Sequence, residues 1–394
     1  MAVLSIKENV FSVGAEHWDR KLFDEIIPLP DGTSYNSFLI KGKSKTALID
    51  TVDPSCQHIL IENLKKLEIK NIDYIISNHA EQDHSGAIPE ILKIYPNSKV
   101  VTNSKCKEFL KDLLLIPEEK FLTINENDTL SLGDKNLKFI FTPWVHWPET
   151  MVTYLVEDKI LFTCDFFGSH IAKSELWAND EKIVYEAAKR YYAEIMMPFR
   201  NNIKNNIEKI LKLDIEIIAP SHGFIYKNPD FIINAYKEWI SDNVSNNVVM
   251  LYVSMHGSVK RIVEYLTDFL IEKGINVLPF NLTVADIGEI AISLVDSATV
   301  VIVSPTFLTG AHPLVYFAVN LFNALRPKTK FISIISSYSW GSNIINSITE
   351  IVKNLKAEII DTILIKGYPK ESDIQLLKNL AEKIFQKHNV LNLF

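Results

Sequence analysis

Four residues able to bind metal fall within six positions in His79-Ala80-Glu81-Gln82-Asp83-His84. Their spacing, alternate and then adjacent, lets one short run face two metal ions. The run follows the apolar stretch Tyr74-Ile75-Ile76-Ser77, which reads as a strand, so a loop at that strand's C-terminal end is expected to carry them. A solvated acidic turn, or a helix opening at Ser85-Gly86-Ala87-Ile88, would explain the same residues without metal. Three more donors tip the balance. His146 lies in Thr142-Pro143-Trp144-Val145-His146-Trp147-Pro148, Asp165 closes Leu161-Phe162-Thr163-Cys164, and His222 follows Ile217-Ile218-Ala219-Pro220-Ser221. A lone histidine at a strand end is usually an ordinary hydrogen-bonder. Three further donors, each just past a strand where layered α/β folds gather functional loops, point to a dinuclear metal site.

A second cluster lies nearer the C-terminus. The apolar run Val248–Val253 leads through Ser254-Met255-His256-Gly257-Ser258 into a helical pattern. Such a loop offers backbone N–H groups and hydroxyls to a phosphate, although a plain capped strand-to-helix turn looks the same. Ser304-Pro305-Thr306-Phe307-Leu308-Thr309-Gly310 and Ser336-Ser337-Tyr338-Ser339-Trp340-Gly341 follow two later strands. They supply polar backbone and aromatic faces at the carboxyl ends of a sheet, suited to a flat heteroaromatic ring. Tyr338 or Trp340 would otherwise only plug the sheet edge. No G-x-G-x-x-G fingerprint occurs, and a loop for one phosphate suits FMN better than a dinucleotide.

The elements that position these residues change character along the 394-residue chain. Short β-rich runs with intervening helices, notably Ala87–Ile94 and Asp180–Leu213, suggest an αββα sandwich over residues 1–246. The polar stretch 241–247 reads as a linker. Residues 247–394 alternate near-continuous apolar strands with amphipathic helices, the pattern of a five-stranded doubly wound parallel sheet covered on both faces. Hydrophobic residues make up 47% of the chain, and 41 Lys and Arg stand against 48 Asp and Glu, a formal charge of −7. Full cores are therefore affordable, and no basic field invites nucleic acid. Three separated cysteines without a C-x-x-C fit a reducing compartment and argue against a zinc ribbon or attached rubredoxin module. The N-terminus lacks a signal layout and no apolar run nears the ~20 residues of a membrane helix, so a cytoplasmic, unanchored protein is expected.

The order His79…Glu81…Asp83-His84…His146…Asp165…His222 resembles the metallo-β-lactamase superfamily pattern H-x-H-x-D-H, later His, bridging Asp and final His. Glu81 departs from it, standing where the hydrolases carry histidine. That departure resembles the flavodiiron proteins, and its physics agrees: four imidazoles with three carboxylates form a harder, more anionic set, suited to iron cycling between ferrous and ferric. The resemblance implies that His79, Glu81 and His146 hold one iron, Asp83, His84 and His222 the other, and Asp165 bridges them. His84 is the exception to watch, because some family members leave that histidine off the metal. The three later loops are similar in order to a flavodoxin's phosphate loop and two ring loops. The implied FMN contacts are Ser254, Met255, His256, Gly257, Ser258, Pro305, Thr306, Phe307, Leu308, Ser337, Tyr338, Ser339, Trp340 and Gly341. Val259 stands where flavodoxins commonly carry a hydroxyl, so one phosphate contact is expected to be missing.

Together the resemblances span nearly the whole chain and imply an oxidoreductase that reduces dioxygen to water, nitric oxide to nitrous oxide, or both. Electrons would come from rubredoxin, a separate chain, or from reduced deazaflavin. The family brings one subunit's FMN beside its partner's irons in a head-to-tail homodimer, which in some cases pairs again as a dimer of dimers. Trp144, Trp147 and Phe166 could keep the pocket dry or simply pack the core. His17 could serve as a proton donor or be a surface residue. The rival readings are a dizinc hydrolase with an accessory flavodoxin domain, and an electron carrier whose metal domain is inert.

Overall fold

The computed structural model describes residues 3–394. The chain falls into two compact units, dividing after Ile240. The last residues of the polar stretch 241–247 already belong to a strand, Ser245–Tyr252.

The first unit holds two sheets. One runs in the order β1-β2-β3-β4-β5-β6-β7, with β1 Leu4–Lys7, β2 Val10–Ser12, β3 Phe38–Lys41, β4 Thr46–Ile49, β5 Tyr74–Ile76, β6 Lys99–Asn103 and β7 Phe121–Ile124. The other runs β8-β9-β10-β11-β12, with β8 Thr129–Ser131, β9 Asn136–Phe141, β10 Met151–Leu155, β11 Ile160–Cys164 and β12 Ile217–Pro220. Successive side chains on a strand point to opposite faces, and the register sorts them. Leu39, Leu48, Ile75 and Val100 line up across four strands. They pack against helices α1 Gln57–Lys66, α3 Ile88–Ile94 and α4 Ser104–Leu114. Their neighbours Ile40, Ala47, Ile49, Ile76 and Val101 face Leu137, Phe139, Met151, Leu155, Ile160 and Phe162 of the second sheet. This inter-sheet core is the middle of the αββα sandwich expected from the sequence.

Two helical expectations need correction. The ligand run is not all loop: a short helix, α2 Gln82–Ser85, opens inside it with Glu81 as N-cap residue. The stretch 180–213 is not one helix but α5 Glu181–Tyr191, a wide π turn Tyr192–Met196, a 3-10 turn, and α6 Arg200–Ile210. Pro198 lies in that 3-10 turn, where its missing N–H and fixed φ suit a helix start and end the preceding run. Helix α7 Pro229–Ile240 closes the unit.

The second unit is a parallel sheet in the order β14-β13-β15-β16-β17, with β13 Ser245–Tyr252, β14 Asn276–Asn281, β15 Ser297–Phe307, β16 Phe331–Tyr338 and β17 Glu358–Lys366. By position in the unit this is 2-1-3-4-5, the flavodoxin order, with its switch point between β13 and β15. Val248, Met250, Val301, Val303, Ile335 and Ile363 pack against α8 Ser258–Ile271 and α12 Glu371–Val390. Helices α9 Ile287–Leu294, α10 Pro313–Leu325 and α11 Ile344–Val352 complete the alternation. Among the described residues no helix is long and apolar enough to cross a membrane.

Candidate functional site

All seven predicted donors come together at the ends of the two facing sheets. The ligand run leaves β5 through Ser77 and Asn78, where Asp50, just past β4, accepts from Asn78 N and Nδ2 at 2.8 Å each. The same Asp50 accepts from Ser221 Oγ at 3.4 Å, tying the His79 loop to the His222 loop. Opening α2 at Gln82 turns Asp83 and His84 inward, and Thr51 donates from N and Oγ1 to the His84 carbonyl at 2.7 Å. Gly223 follows His222 with φ +75°, and a Cβ there would meet Ser169 Oγ at 2.0 Å and Ser169 O at 2.7 Å. Only glycine lets this loop pass.

The donor atoms form two matched sets. Glu81 Oε2 lies 3.1 Å from His79 Nε2 and 3.2 Å from His146 Nε2. Asp83 Oδ1 lies 3.3 Å from His84 Nε2, and its Oδ2 lies 3.1 Å from His222 Nε2. Asp165 serves both sets: Oδ2 is 3.6 Å from both His79 and His146, whereas Oδ1 is 3.0 Å from His84 and 3.4 Å from His222. Donors held roughly 2.0–2.2 Å from one ion lie roughly 3 Å from each other, which matches these spacings. Both Asp83 oxygens, Asp165 Oδ2 and His222 Nε2 are buried without a hydrogen bond. Orphaned lone pairs converging at metal–ligand spacing fit a pair of cations.

The electrostatics agree. Burial opposes ionisation of Glu81, yet hydrogen bonds with His146 and His79 hold its carboxyl far below the usual range. Burial likewise opposes the charge of Asp165, and the His84 charge with bonds to three imidazoles overrides it. The imidazoles move the other way despite burial: the Asp165 carboxylate beside them raises His146 to about 9 and His222 to about 10. Protons on the imidazoles thus supply the positive charge that the three carboxylates demand. Cys164 Sγ borders His84 and Asp165, but burial pushes its thiol well up, so it remains protonated.

The sequence reading missed the residues behind the donors. His79 Nδ1 meets Glu149 Oε1 at 2.7 Å, His222 Nδ1 meets the Ser34 carbonyl at 2.6 Å, and Tyr191 donates to Asp165 Oδ1 at 2.7 Å. Glu149 carried a faint signal, three positions after His146 on the same loop. Tyr191, in the last turn of a helix far along the chain, carried none. Among the aromatics, Trp147 packs edge-on against His79 at 4.9 Å, Trp144 is 46% exposed, and Phe166 is core, stacked on Phe167. His17 is half-buried, its ring 6.0 Å from Tyr35, which in turn lies 5.9 Å from His222.

In the second unit the three loops gather at the strands' carboxyl ends. Ser254, Met255, His256 and Gly257 join β13 to α8, whose N-cap Gly257 has φ +90°; Ser254 Oγ accepts from Lys260 N at 3.1 Å, which leaves the Ser258 and Val259 amides for an anion. Val259 is fully buried in the apolar core, which accounts for the missing hydroxyl. The next loop is tighter than expected. Pro305, Thr306 and Phe307 extend β15, Leu308 and Thr309 turn with positive φ, and Gly310–Ala311 pairs back. Ser337 and Tyr338 likewise extend β16 by pairing with Ile365 and Lys366 of β17; Ser339, Trp340 and Gly341 form the turn beyond. Ser337 Oγ reaches Ser258 Oγ and the Gly367 carbonyl, both at 3.1 Å, so a fifth-strand loop not foreseen also borders the site. Trp340 (75% exposed), Leu308 (79%) and Met255 (41%) leave an apolar rim open on these loops. An open phosphate cradle with apolar ring faces fits FMN.

Fold and donor set together define the class: a metallo-β-lactamase-like unit built round two adjoining metal positions, continued by a flavodoxin-like unit. The family description "ODP family beta lactamase" matches residues 33–223. A Moorella thermoacetica protein named nitric oxide reductase is 33% identical over 390 residues, covering 97% of this chain and 98% of that one. The rubredoxin oxygen:oxidoreductase of Desulfovibrio gigas superimposes with a TM-score of 0.95 at 26% identity, with 100% of each chain covered. The flavodiiron protein of Giardia intestinalis does so at 0.93 and 27%, covering 99% of this chain and 98% of that one. The chain belongs to the flavodiiron protein family, and the Moorella and Desulfovibrio relatives carry reductase and oxidoreductase names.

Proposed function

We propose that this chain reduces dioxygen to water, nitric oxide to nitrous oxide, or both, at two non-haem irons fed by FMN. The observation that carries the reading is the matched pair of two-histidine, one-carboxylate donor sets sharing Asp165, with Glu81 where a zinc hydrolase has imidazole. His79, Glu81 and His146 would hold one ion, Asp83, His84 and His222 the other, and Asp165 both. Two irons and FMN supply the electrons: dioxygen to two waters takes four, and two nitric oxides to nitrous oxide and water take two. Trp147, packed against His79 and Phe109, would shield one side of the centre. The loop amides of residues 254–258 would hold the FMN phosphate. Pro305, Thr306, Phe307, Leu308 and residues 337–341 would frame its ring.

A head-to-tail homodimer completes the enzyme in this reading. An open, mostly apolar depression of about 500 Å³ at His146, lined by Phe109, Leu113, Trp144, Trp147, Pro148 and Phe199 with Asp112 among them, suits a flat ring presented by a second copy. Rubredoxin or reduced deazaflavin would be the external donor. The test is metal and flavin analysis of purified protein with gas-electrode assays under each donor. Two irons and one FMN per chain, with consumption of either gas, is the expected result. Zinc alone with hydrolase activity would overturn it, and Glu81→His should push the protein in that direction.

A further inference from the structure

The two donor sets match in composition, each with two imidazoles, one carboxylate of its own and one oxygen of Asp165. Donor types in the innermost layer therefore do not distinguish the two positions. The layer behind them differs, and in two independent ways.

The first difference is at the imidazoles. His79 Nδ1 donates to Oε1 of Glu149 at 2.7 Å, and this carboxylate is itself buried, with Ala80 N donating to the same oxygen at 3.1 Å. A carboxylate accepting the far N–H of a ligand histidine gives the ring imidazolate character and strengthens its metal-facing lone pair. The other set has no such partner. His222 Nδ1 faces only the neutral Ser34 carbonyl, and His84 Nδ1 is buried without a hydrogen bond. The second difference is at the shared carboxylate. Tyr191 donates to Oδ1 of Asp165, the oxygen that faces His84 and His222. The charge-assisted bond at 2.7 Å occupies a lone pair of that oxygen, which leaves Oδ1 less free for a metal than Oδ2 on the His79 side. Both differences act in the same direction.

We propose that Glu149 and Tyr191 make the two metal positions unequal, so that the His79–Glu81–His146 position is the tighter and fills first. Glu149 and Tyr191 are positioning residues in this scheme, touching donors and not the metal. The inference rests on the dinuclear reading above, and the experiment separates the two.

The test is a cobalt(II) titration of the full-length, metal-depleted chain, followed by calorimetry and electron paramagnetic resonance. Wild type should bind in two resolved steps, with an isolated cobalt signal at one equivalent and magnetic coupling only as the second enters. Glu149→Gln should weaken the first step about 10–100-fold and leave the second in place. Tyr191→Phe should do the converse, tightening the second step and sparing the first. His146→Ala should abolish the tighter step, and His222→Ala the weaker one. A merely structural role for either residue would weaken both steps together. If Glu149→Gln does not fold, the tyrosine and histidine variants still decide the matter. Two cobalt ions bound with equal affinity would overturn the inequality while leaving the dinuclear reading intact. Failure to bind a second ion would remove the dinuclear reading, and this inference with it.

Discussion

His84 turns Nε2 to within 3.0 Å of Oδ1 of Asp165, its ring buried and its other neighbour the Asp83 carboxylate at 3.3 Å. In this chain the histidine faces into the centre, beside Asp83 and His222. Asp165 then carries more weight than any other donor, because its two oxygens face different sets. Asp165→Ala is expected to lower metal affinity at both positions by at least tenfold to a hundredfold while flavin absorbance is retained. Metal analysis beside the visible spectrum checks this. A variant that kept both metals and full turnover would remove Asp165 from the bridging position.

Proton release provides a second prediction. Without metal, His146 and His222 are raised to about 9 and about 10 against an ordinary 6.5, with burial opposing and the adjacent Asp165 carboxylate driving the rise. Groups raised on folding hold protons that the unfolded chain sheds above pH 6.5. Their contribution to metal-free stability is complete below that pH and is lost as pH climbs through 9 to 10. The metal-free melting temperature should therefore fall between pH 7 and pH 10. Metal must displace the same protons, so affinity should strengthen over that range, and uptake at pH 7 should release protons. Calorimetry in two buffers of different ionisation enthalpy reads this directly; buffer-independent heats would refute it.

The donors were legible because ligands need particular residue types, and type is what a sequence states. His79, Glu81, Asp83 and His84 stand within six positions, and the other three each lie beyond the end of a strand. The supporting layer was not legible, since any polar residue can hold an imidazole from any point in the chain. Ser34 meets His222 through a backbone carbonyl, which no side-chain pattern announces. Tyr191 reaches Asp165 from the end of α5, 26 positions along. In the second unit the alternation gave the parallel sheet readily. The lengths of β15 and β16 were underestimated because Pro305, Ser336 and Ser337 read as loop residues, yet Pro305 pairs with β16 and the two serines pair with strands on either side.

Loss of FMN without loss of metal is the third expectation. A Cβ at Gly257 would meet nothing within 4 Å, so Gly257→Asp should not clash with the fold. Its φ of +90° disfavours a side chain, and a carboxylate at the start of α8 would repel the phosphate. FMN affinity should fall roughly a hundredfold, or about 2.7 kcal/mol. Trp340→Ala, at a residue 75% exposed, should cost about tenfold through lost stacking. Fluorescence titration of the flavin-free variants measures both. Unchanged affinity in the glycine variant would move the phosphate site elsewhere.

Electron delivery between subunits is the last and most demanding prediction. The metal donors belong to the first compact unit and the flavin loops to the second. Asp165→Ala chains would hold FMN but not a working metal pair, and Gly257→Asp chains the reverse. Neither homodimer should reduce either gas. A mixed dimer has two interfaces. At one, both cofactors are disabled. At the other, the intact FMN of the Asp165→Ala chain faces the intact irons of its partner. Tunnelling falls off steeply with distance, so only cofactors brought close by the pairing exchange electrons at useful rates. Mixed dimers should therefore recover up to half of wild-type turnover per dimer. Differently tagged chains purified over two columns would establish that mixed dimers form, and their metal and flavin content would establish that one of each working site is present. Silent mixed dimers with both sites filled would place the electron route within each chain and refute the head-to-tail arrangement.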